Sequence, residues 1–103
     1  MKIYLSGKIT GDPGYREKFA AAAEQLTEAG HIVLNPATQP PGLRNVDYIR
    51  MCFAMMEAAD LVVFLPSWTE SSGALLEMMW CRYVGKPTAL DLGRVCKSGR
   101  VTK

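Results

Sequence analysis

The stretch Leu65-Pro66-Ser67-Trp68-Thr69-Glu70-Ser71-Ser72-Gly73-Ala74-Leu75-Leu76-Glu77 carries the signals that decide the fold. An apolar run over residues 61–65 stops at Pro66. A polar loop with serines and a glycine then leads into an apolar helical pattern. This order is typical of a strand, a loop and a helix N-terminus, which is where α/β proteins hold anionic ligands. The stretch therefore predicts a buried parallel strand followed by a helix that starts at a ligand crevice.

Glu77 is the one residue of this stretch that helix capping does not explain. If Ser71 is the N-cap, the capping-box position is Ala74, so Glu77 lies too deep in the helix. Its helical neighbours Gly73, Ala74 and Cys81 are small and leave room beside the carboxylate. Partial burial would suit Glu77 to act as a nucleophile or a general acid/base. The alternative is a glutamate that points to solvent from an exposed helical position.

Strands and helices alternate along the rest of the chain. The pattern predicts strands over residues 3–6, 31–34, 61–65 and 88–90, and helices from Pro13 to a stop at Gly30, over 46–58, and over 72–84. Asn45 or Asp47 is the predicted N-cap of the second helix. The prediction is an α/β fold, a flavodoxin/Rossmann-like three-layer sandwich. Its parallel sheet has four to five strands in the order 2-1-3-4(-5).

The length of 103 residues predicts one domain over residues 1–92. A basic tail over 93–103 is predicted to be disordered or to add a short extra strand. That tail contains Arg94, Lys97, Arg100 and Lys103, but the net charge of +2 is too weak to indicate a nucleic-acid polymer as partner.

The three cysteines lack CxxC or Cys/His spacing, so the sequence predicts neither a disulfide framework nor a metal site. No apolar run approaches 20 residues and no signal-peptide pattern opens the chain. We therefore expect a protein of the cytoplasm without a membrane partner.

The predicted strand order places two loops on either side of one crevice. One is Ser6-Gly7-Lys8-Ile9-Thr10-Gly11, whose glycines allow a ligand to approach the backbone. The other contains Ser71, Ser72 and Gly73, which can offer hydroxyls and backbone amides to a phosphate or another anion. The alternative for Ser71 is an ordinary N-cap.

Other polar and aromatic residues have two interpretations each. Tyr4 can direct its hydroxyl into the crevice or pack in the core. Trp68 and Tyr48 can stack on a base or simply pack beside the loops. Asp60 and His31 belong to the opposite end of the sheet, where we expect a turn residue and no catalysis.

The second and third predicted helices carry more large apolar side chains than the core of one small domain can bury. The residues concerned are Met51, Met55, Met56, Met78 and Met79, together with Trp80. They indicate a homodimer or higher homo-oligomer formed through these helices.

Several of these positions together carry a family resemblance that covers about residues 2–90. They are Tyr4-Leu5-Ser6-Gly7-Lys8-Ile9-Thr10-Gly11, Phe19, Leu26, Gly30, Asn35-Pro36-Ala37, Ala59-Asp60, Leu65-Pro66 and Trp68-x-x-Ser71-x-Gly73-Ala74-x-x-Glu77. The pattern resembles the small phage and bacterial DUF4406 family within the nucleoside 2-deoxyribosyltransferase-like superfamily.

The resemblance implies hydrolysis or transfer at the N-glycosidic bond of a 2′-deoxynucleoside 5′-monophosphate, without metal or organic cofactor. Glu77 matches the superfamily's nucleophile, and Tyr4 matches the tyrosine that hydrogen-bonds near it. Ser71 resembles the serine of the nucleotide N-hydrolase branch that binds the 5′-phosphate. The implied substrate-binding residues are Ser6, Gly7, Lys8, Ile9, Ser71, Ser72, Gly73 and Trp68.

One position departs from the family pattern. Active members usually carry an aspartate on the second helix where this chain has Cys52, and an ordinary thiol, with a pKa of about 8.5, is a poor replacement acid. Asp47 lies more than a turn earlier and is the other candidate. Because of this departure, the second hypothesis is a nucleotide-binding or sensing module that does not turn over its ligand. A flavodoxin-like flavin carrier is a third possibility.

Overall fold

A parallel sheet of four strands forms the centre of the molecule. The computed structural model describes the backbone of residues 1–101 and the side chains of residues 1–97. The strands are β1 (Lys2–Ser6), β2 (Ile32–Leu34), β3 (Leu61–Phe64) and β4 (Thr88–Ala89). Their order is β2-β1-β3-β4, as predicted, and every pair is parallel. From β1 the chain adds β2 on one side of the sheet and then β3 and β4 on the other, so the order of connection reverses between β1 and β3. At such switch points parallel sheets leave a crevice.

In the described part of the chain four α-helices cover the sheet: α1 (Tyr15–Glu28), α2 (Asn45–Ala58), α3 (Ser72–Val84) and α4 (Leu92–Val101). Two short 3-10 helices, Pro36–Thr38 and Trp68–Glu70, lie in the loops after β2 and β3. The ends of α1 and α3 follow the predicted glycine signals. Gly30, just after α1, has φ +96°, and Gly85, the C-cap of α3, has φ +79°. Both lie in the left-handed region, which glycine adopts without the steric cost that a Cβ imposes.

The start of α2 differs from the prediction that Asn45 or Asp47 is its N-cap. Arg44 is the N-cap residue, and Asp47, three positions later, accepts the Arg44 N–H at 3.0 Å. The guanidinium of Arg44 also lies 3.1 Å from the Asp47 carboxylate. Asp47 thus stabilises this helix start from inside the first turn, where a negative charge also suits the helix dipole.

Residues alternate along the strands and build a core on each face of the sheet. Ile3, Leu5 and Val63 face α1 and α4, where the buried residues include Phe19, Leu26 and Val95. Tyr4, Val62 and Phe64 face α2 and α3, where the buried residues include Cys52, Met56, Met78 and Cys81. The result is the predicted three-layer sandwich, and it places Tyr4 under the two helices that flank the crevice.

The segment 93–101 is helical, which corrects the prediction of disorder or a fifth strand for this tail. It belongs to α4, which begins at Leu92 and packs Val95 into the α1 side of the core. The apolar positions Leu92, Val95 and Cys96 recur at helical spacing. Of the basic residues predicted to form the tail, Arg100 and Lys103 have side chains outside the described residues. No helix among the described residues is long and apolar enough to cross a membrane.

Candidate active site

The candidate site is built around the carboxylate of Glu77 on α3. Ser71 is the N-cap of α3 and accepts the Ala74 N–H at 3.2 Å, so the helix starts where the sequence predicts. Ala74, Glu77, Met78 and Cys81 then form the face of α3 that is buried against the sheet. Glu77 is only 6% exposed. The solvent-facing alternative for Glu77 is therefore wrong.

Two hydroxyl groups from β1 hold the carboxylate. The Tyr4 hydroxyl donates to Oε2 of Glu77 at 2.8 Å, and the Ser6 hydroxyl donates to Oε1 at 2.6 Å. Tyr4 and Ser6 are two residues apart on a strand, so they point to the same face of the sheet. Each carboxylate oxygen thus has one fixed donor and keeps acceptor capacity for a ligand.

Burial controls the protonation of this cluster. It raises the pKa of Glu77 above its ordinary value, while the hydrogen bonds from Ser6, Tyr4 and Cys52 act in the opposite direction. Burial also raises the pKa of Tyr4 strongly, and the neighbouring Glu77 carboxylate adds to that effect. The pKa of the Cys52 thiol is raised to about 11, again chiefly by burial. Tyr4 and Cys52 are therefore neutral donors at physiological pH.

A crevice of about 100 Å³ opens over this cluster. It is lined by residues of the β1 strand and loop, α1, the β2 loop, α2 and the start of α3: Tyr4, Leu5, Ser6, Gly7, Ile9, Phe19, Pro36, Ile49, Cys52, Ser71, Gly73, Ala74 and Glu77. Seven of the ten predicted site residues line it. The apolar lining residues were not predicted as site residues, because side chains of this kind are typical of an ordinary core; they are Leu5, Phe19, Pro36, Ile49 and Ala74.

Three predicted site residues do not line the crevice. Lys8 forms an ion pair with Glu70 at 3.6 Å, Trp68 packs against Phe64 with 5.2 Å between ring centroids, and Ser72 is exposed at the start of α3. Of the two interpretations of Trp68, packing beside the loop is therefore the one that the structure shows.

Gly7 lines the crevice for a reason that differs from the predicted one. A Cβ on Gly7 would lie 3.2 Å from Phe19 and 3.3 Å from Leu65. The missing side chain makes room for the core beneath the loop, in addition to any ligand above it. Gly11, in the same loop, has φ +83° and supplies the turn.

The opposite end of the sheet contains Asp60 and His31, as predicted. Asp60 accepts the Lys2 N–H at 2.8 Å and joins the starts of β1 and β3. His31 is buried, with Nδ1 3.2 Å from the N-terminal amine. Among the side chains that the structure describes, no group of three or more His, Cys, Asp or Glu could hold a metal ion.

A family model places the chain among known sequences. The match is to DUF4406, a domain of unknown function, over residues 1–89. The chain belongs to the DUF4406 family. Its β1 loop, its α3 start and Glu77 all lie within the matched region, and of the described helices and strands α4 alone lies beyond it.

A solved structure shares the fold of this DUF4406 protein. It is a 2-deoxyribosyltransferase from Bacillus psychrosaccharolyticus, with a TM-score of 0.67 and 20% sequence identity over 85% of this chain and 69% of that one. A comparison with curated proteins found no match. The fold of this DUF4406 protein is thus deoxyribosyltransferase-like, in agreement with the superfamily resemblance.

Proposed function

We propose that this DUF4406 protein cleaves the N-glycosidic bond of a 2′-deoxynucleoside 5′-monophosphate, by hydrolysis or by transfer to a second base. The observation that carries the proposal is the Glu77 carboxylate, buried in a crevice and held by the hydroxyl groups of Tyr4 and Ser6 at 2.8 and 2.6 Å. A carboxylate fixed in this way is suited to attack an anomeric carbon. The deoxyribosyltransferase-like fold supports the same chemistry.

In the proposed mechanism, an Oε atom of Glu77 attacks C1′ of the sugar as the bond to the base breaks. The resulting glycosyl ester is resolved by water in hydrolysis or by an acceptor base in transfer, as in retaining glycoside chemistry. Tyr4 and Ser6 orient the carboxylate and stabilise its charge when the ester is cleaved. This scheme uses no metal or organic cofactor.

The 5′-phosphate is proposed to bind at the start of α3. The first N–H groups of a helix have no partner within the helix, and the helix dipole favours an anion there. Ser71 and Gly73 line the crevice at this point, and Ser72 lies beside them. Because the crevice is smaller than the roughly 300 Å³ of pockets that enclose drug-sized ligands, part of the nucleotide would extend into solvent.

Release of free base is the test of this proposal. The protein is incubated with the four common deoxynucleoside monophosphates and with an N7-methylated guanine nucleotide, with and without an acceptor base, and products are separated by chromatography. The Glu77→Gln variant is the matched control, because it keeps the size of the side chain and removes the nucleophile. Equal base release by both proteins with every substrate would overturn the proposal.

A non-catalytic nucleotide-binding module is the second candidate. The observation that favours it is Cys52, whose thiol has a pKa of about 11 and cannot protonate a leaving base efficiently at neutral pH. Binding of a deoxynucleoside monophosphate in calorimetry, with no product after long incubation, would identify this function.

The methionine argument for association holds only in part, because Met56 and Met78 are buried in the core of one chain, whereas Met51 and Met79 are exposed. We nevertheless propose that two copies of the chain associate through α3. The side chains of Leu75, Leu76, Met79 and Tyr83 form one exposed stripe along this helix, with Met79 66% and Tyr83 92% exposed. Large apolar stripes of this kind usually mark an interface. A two-fold axis would place the same stripe of each copy in contact.

A further inference from the structure

The buried Glu77 carboxylate has no cationic partner among the described residues. Its hydrogen-bond donors, Tyr4, Ser6 and Cys52, are neutral, and the crevice lining contains no Lys, Arg or His. The ion pairs found in the described part of the chain are Lys8–Glu70, Lys18–Asp12 and Arg44–Asp47, and none of them includes Glu77. Buried charges in proteins are normally paired, because an isolated one is costly. The crevice is therefore electrostatically complementary to a cation.

The same lining lacks an acid that could assist a leaving base. The ionisable side chains in it are Tyr4, Cys52 and Glu77. The Tyr4 proton is engaged with Glu77, and the Cys52 thiol holds its proton up to a pH of about 11. Glu77 cannot attack C1′ as a carboxylate and donate a proton in the same step. A neutral purine or pyrimidine would have to leave as an anion, which is slow without protonation.

We propose, on the basis of the glycosidic chemistry above, that the crevice selects 2′-deoxynucleotides whose base already carries a positive charge. The class comprises N7-alkylated purines and pyridinium bases. Such a base supplies the counter-charge that Glu77 lacks, and it departs without receiving a proton.

The reaction balances without a general acid. An Oε atom of Glu77 forms a bond to C1′, and the C1′–N bond breaks with its electron pair moving to the ring nitrogen. The cationic base thereby leaves as a neutral molecule. Water then attacks the glycosyl ester, which returns Glu77 as a carboxylate and gives deoxyribose 5-phosphate and one proton to solvent.

The test compares cationic and neutral substrates of nearly equal size. The kcat/KM of the protein is measured with 7-methyl-2′-deoxyguanosine 5′-monophosphate and with 2′-deoxyguanosine 5′-monophosphate. A separate arm uses nicotinamide 2′-deoxyriboside 5′-monophosphate, which distinguishes pyridinium from alkylpurine selectivity. Rates with Glu77→Gln are subtracted, because alkylated nucleotides also lose their base spontaneously. We expect the cationic substrates to be favoured by about 100-fold or more, the scale of a missing acid catalyst.

Two variants at Cys52 separate enzyme selectivity from the intrinsic reactivity of the substrates. In Cys52→Asp, a second carboxyl group next to Glu77 would retain its proton, because two neighbouring carboxylates cannot both ionise easily. We expect the Cys52→Asp variant to cleave the neutral substrate faster. The ratio of kcat/KM for the cationic substrate to kcat/KM for the neutral one should therefore fall at least about tenfold. Cys52→Asn matches Asp in size but has no acidic proton, and we expect no such narrowing. Circular dichroism verifies that both variants fold.

The outcomes distinguish this inference from the proposed function. If the unvaried protein cleaves both guanine nucleotides with kcat/KM values within about tenfold of each other, the inference is overturned and the glycosidase function stands. If Cys52→Asn narrows the ratio as much as Cys52→Asp, the missing acid is not the cause, and the inference is again overturned. If no substrate exceeds the Glu77→Gln rate, both proposals fail. If the Cys52 variants do not fold, the kcat/KM ratio of the unvaried protein is compared with the ratio of the spontaneous base-loss rates of the same two nucleotides, and a kcat/KM ratio no larger than the spontaneous one overturns the inference.

Discussion

Glu77 is a carboxylate that the fold buries, and none of the ion pairs among the described side chains includes it. Tyr4 and Ser6 compensate part of the lost hydration with two hydrogen bonds. The remaining cost appears as a pKa raised above the ordinary value of 4.5. Reactive side chains often lower the stability of the folded protein in this way, because a buried polar group that can react is less stable in a core than an apolar one.

The Glu77→Gln variant should be more stable than the unvaried protein at alkaline pH. Since folding raises the pKa of Glu77, the contribution of this group to stability is complete below pH 4.5 and is lost as pH rises through the raised pKa. A neutral glutamine does not have this dependence. Thermal melts from pH 4 to 8 should show a Tm advantage for the variant that grows with pH, and each kcal/mol corresponds to about 4–8 °C. An advantage that is constant with pH would contradict the assignment of the burial cost to Glu77.

In the Tyr4→Phe variant the acidic limb of the pH–activity profile should move to higher pH. The Tyr4 hydrogen bond favours the ionised carboxylate, so its removal raises the pKa of Glu77 further. We expect kcat to fall about tenfold, as a hydrogen bond to a charged group is worth about 1.5–3 kcal/mol. Tyr48→Phe is the matched control, because the Tyr48 hydroxyl donates to the Pro40 carbonyl at 2.8 Å and does not contact Glu77. A limb that moves equally in both variants would show that Tyr4 does not act on Glu77.

At the scale of the element, the start of α3 combines two roles. Its N-cap, Ser71, completes the helix by accepting the Ala74 N–H, and the same residue lines the crevice where we propose that the phosphate binds. A helix start is suited to both roles, because its first N–H groups point along the axis toward the crevice.

Two substitutions at Ser71 separate the cap from the phosphate site. Ser71→Ala removes the cap and should cost about 1 kcal/mol of stability. Ser71→Asp keeps a good cap but adds a negative charge at the proposed phosphate position. We expect the Asp variant to melt close to the unvaried protein, to show a raised KM for the monophosphate, and to retain its KM for the free nucleoside. Ser72→Ala, at an exposed position, should leave the melting temperature unchanged. An unchanged monophosphate KM in Ser71→Asp would place the phosphate elsewhere.

At the scale of the whole molecule, α4 is part of the core and not an appendage. Val95 is 7% exposed and packs in the same cluster as Phe19 and Leu26 of α1. The helix thus covers the face of the sheet opposite Glu77. It lies outside the region matched by the family model, yet it supplies part of one apolar layer.

Shortening the Val95 side chain should therefore destabilise the fold. Val95→Ala is expected to cost about 1–2 kcal/mol in urea unfolding, from lost apolar burial and the resulting cavity. Lys97→Ala, on the exposed side of α4, should change stability by less than about 0.5 kcal/mol. If the two variants had equal effects, α4 would not be packed in solution.

The association proposed for α3 predicts a mass of twice the monomer in light scattering after size exclusion. Met79→Lys places a charge in the exposed stripe and should give a monomer that is still folded, because Met79 is 66% exposed. Glu24→Lys, on the exposed side of α1, is the control and should leave the mass unchanged. A monomer at all concentrations in the unvaried protein would refute the proposed association.

The sequence by itself determined the order of elements and the position of Glu77 within its helix. Apolar runs, proline and glycine stops and the serine cap are local signals, and they predict β1, α1, β3 and α3 correctly. The sheet order was predicted from the alternation of strands and helices together with the usual flavodoxin-like arrangement of such sheets. The helical nature of α4 was missed, because basic and small residues interrupt its apolar positions. The cap of α2 was misassigned for a similar reason, since Arg44 is an unusual N-cap that Asp47 stabilises from within the helix.

Only the tertiary structure decided which side chains meet. Tyr4 and Ser6 are more than 70 residues from Glu77 in the chain, and their hydrogen bonds exist because β1 lies beside β3 under α3. No sequence period reports that Glu77 is buried without a cation, that Trp68 packs on Phe64, or that Lys8 pairs with Glu70. The spacing of residues along a helix or strand determines which face each side chain occupies. Whether a charged side chain is paired depends on the side chains of the other element that packs against that face.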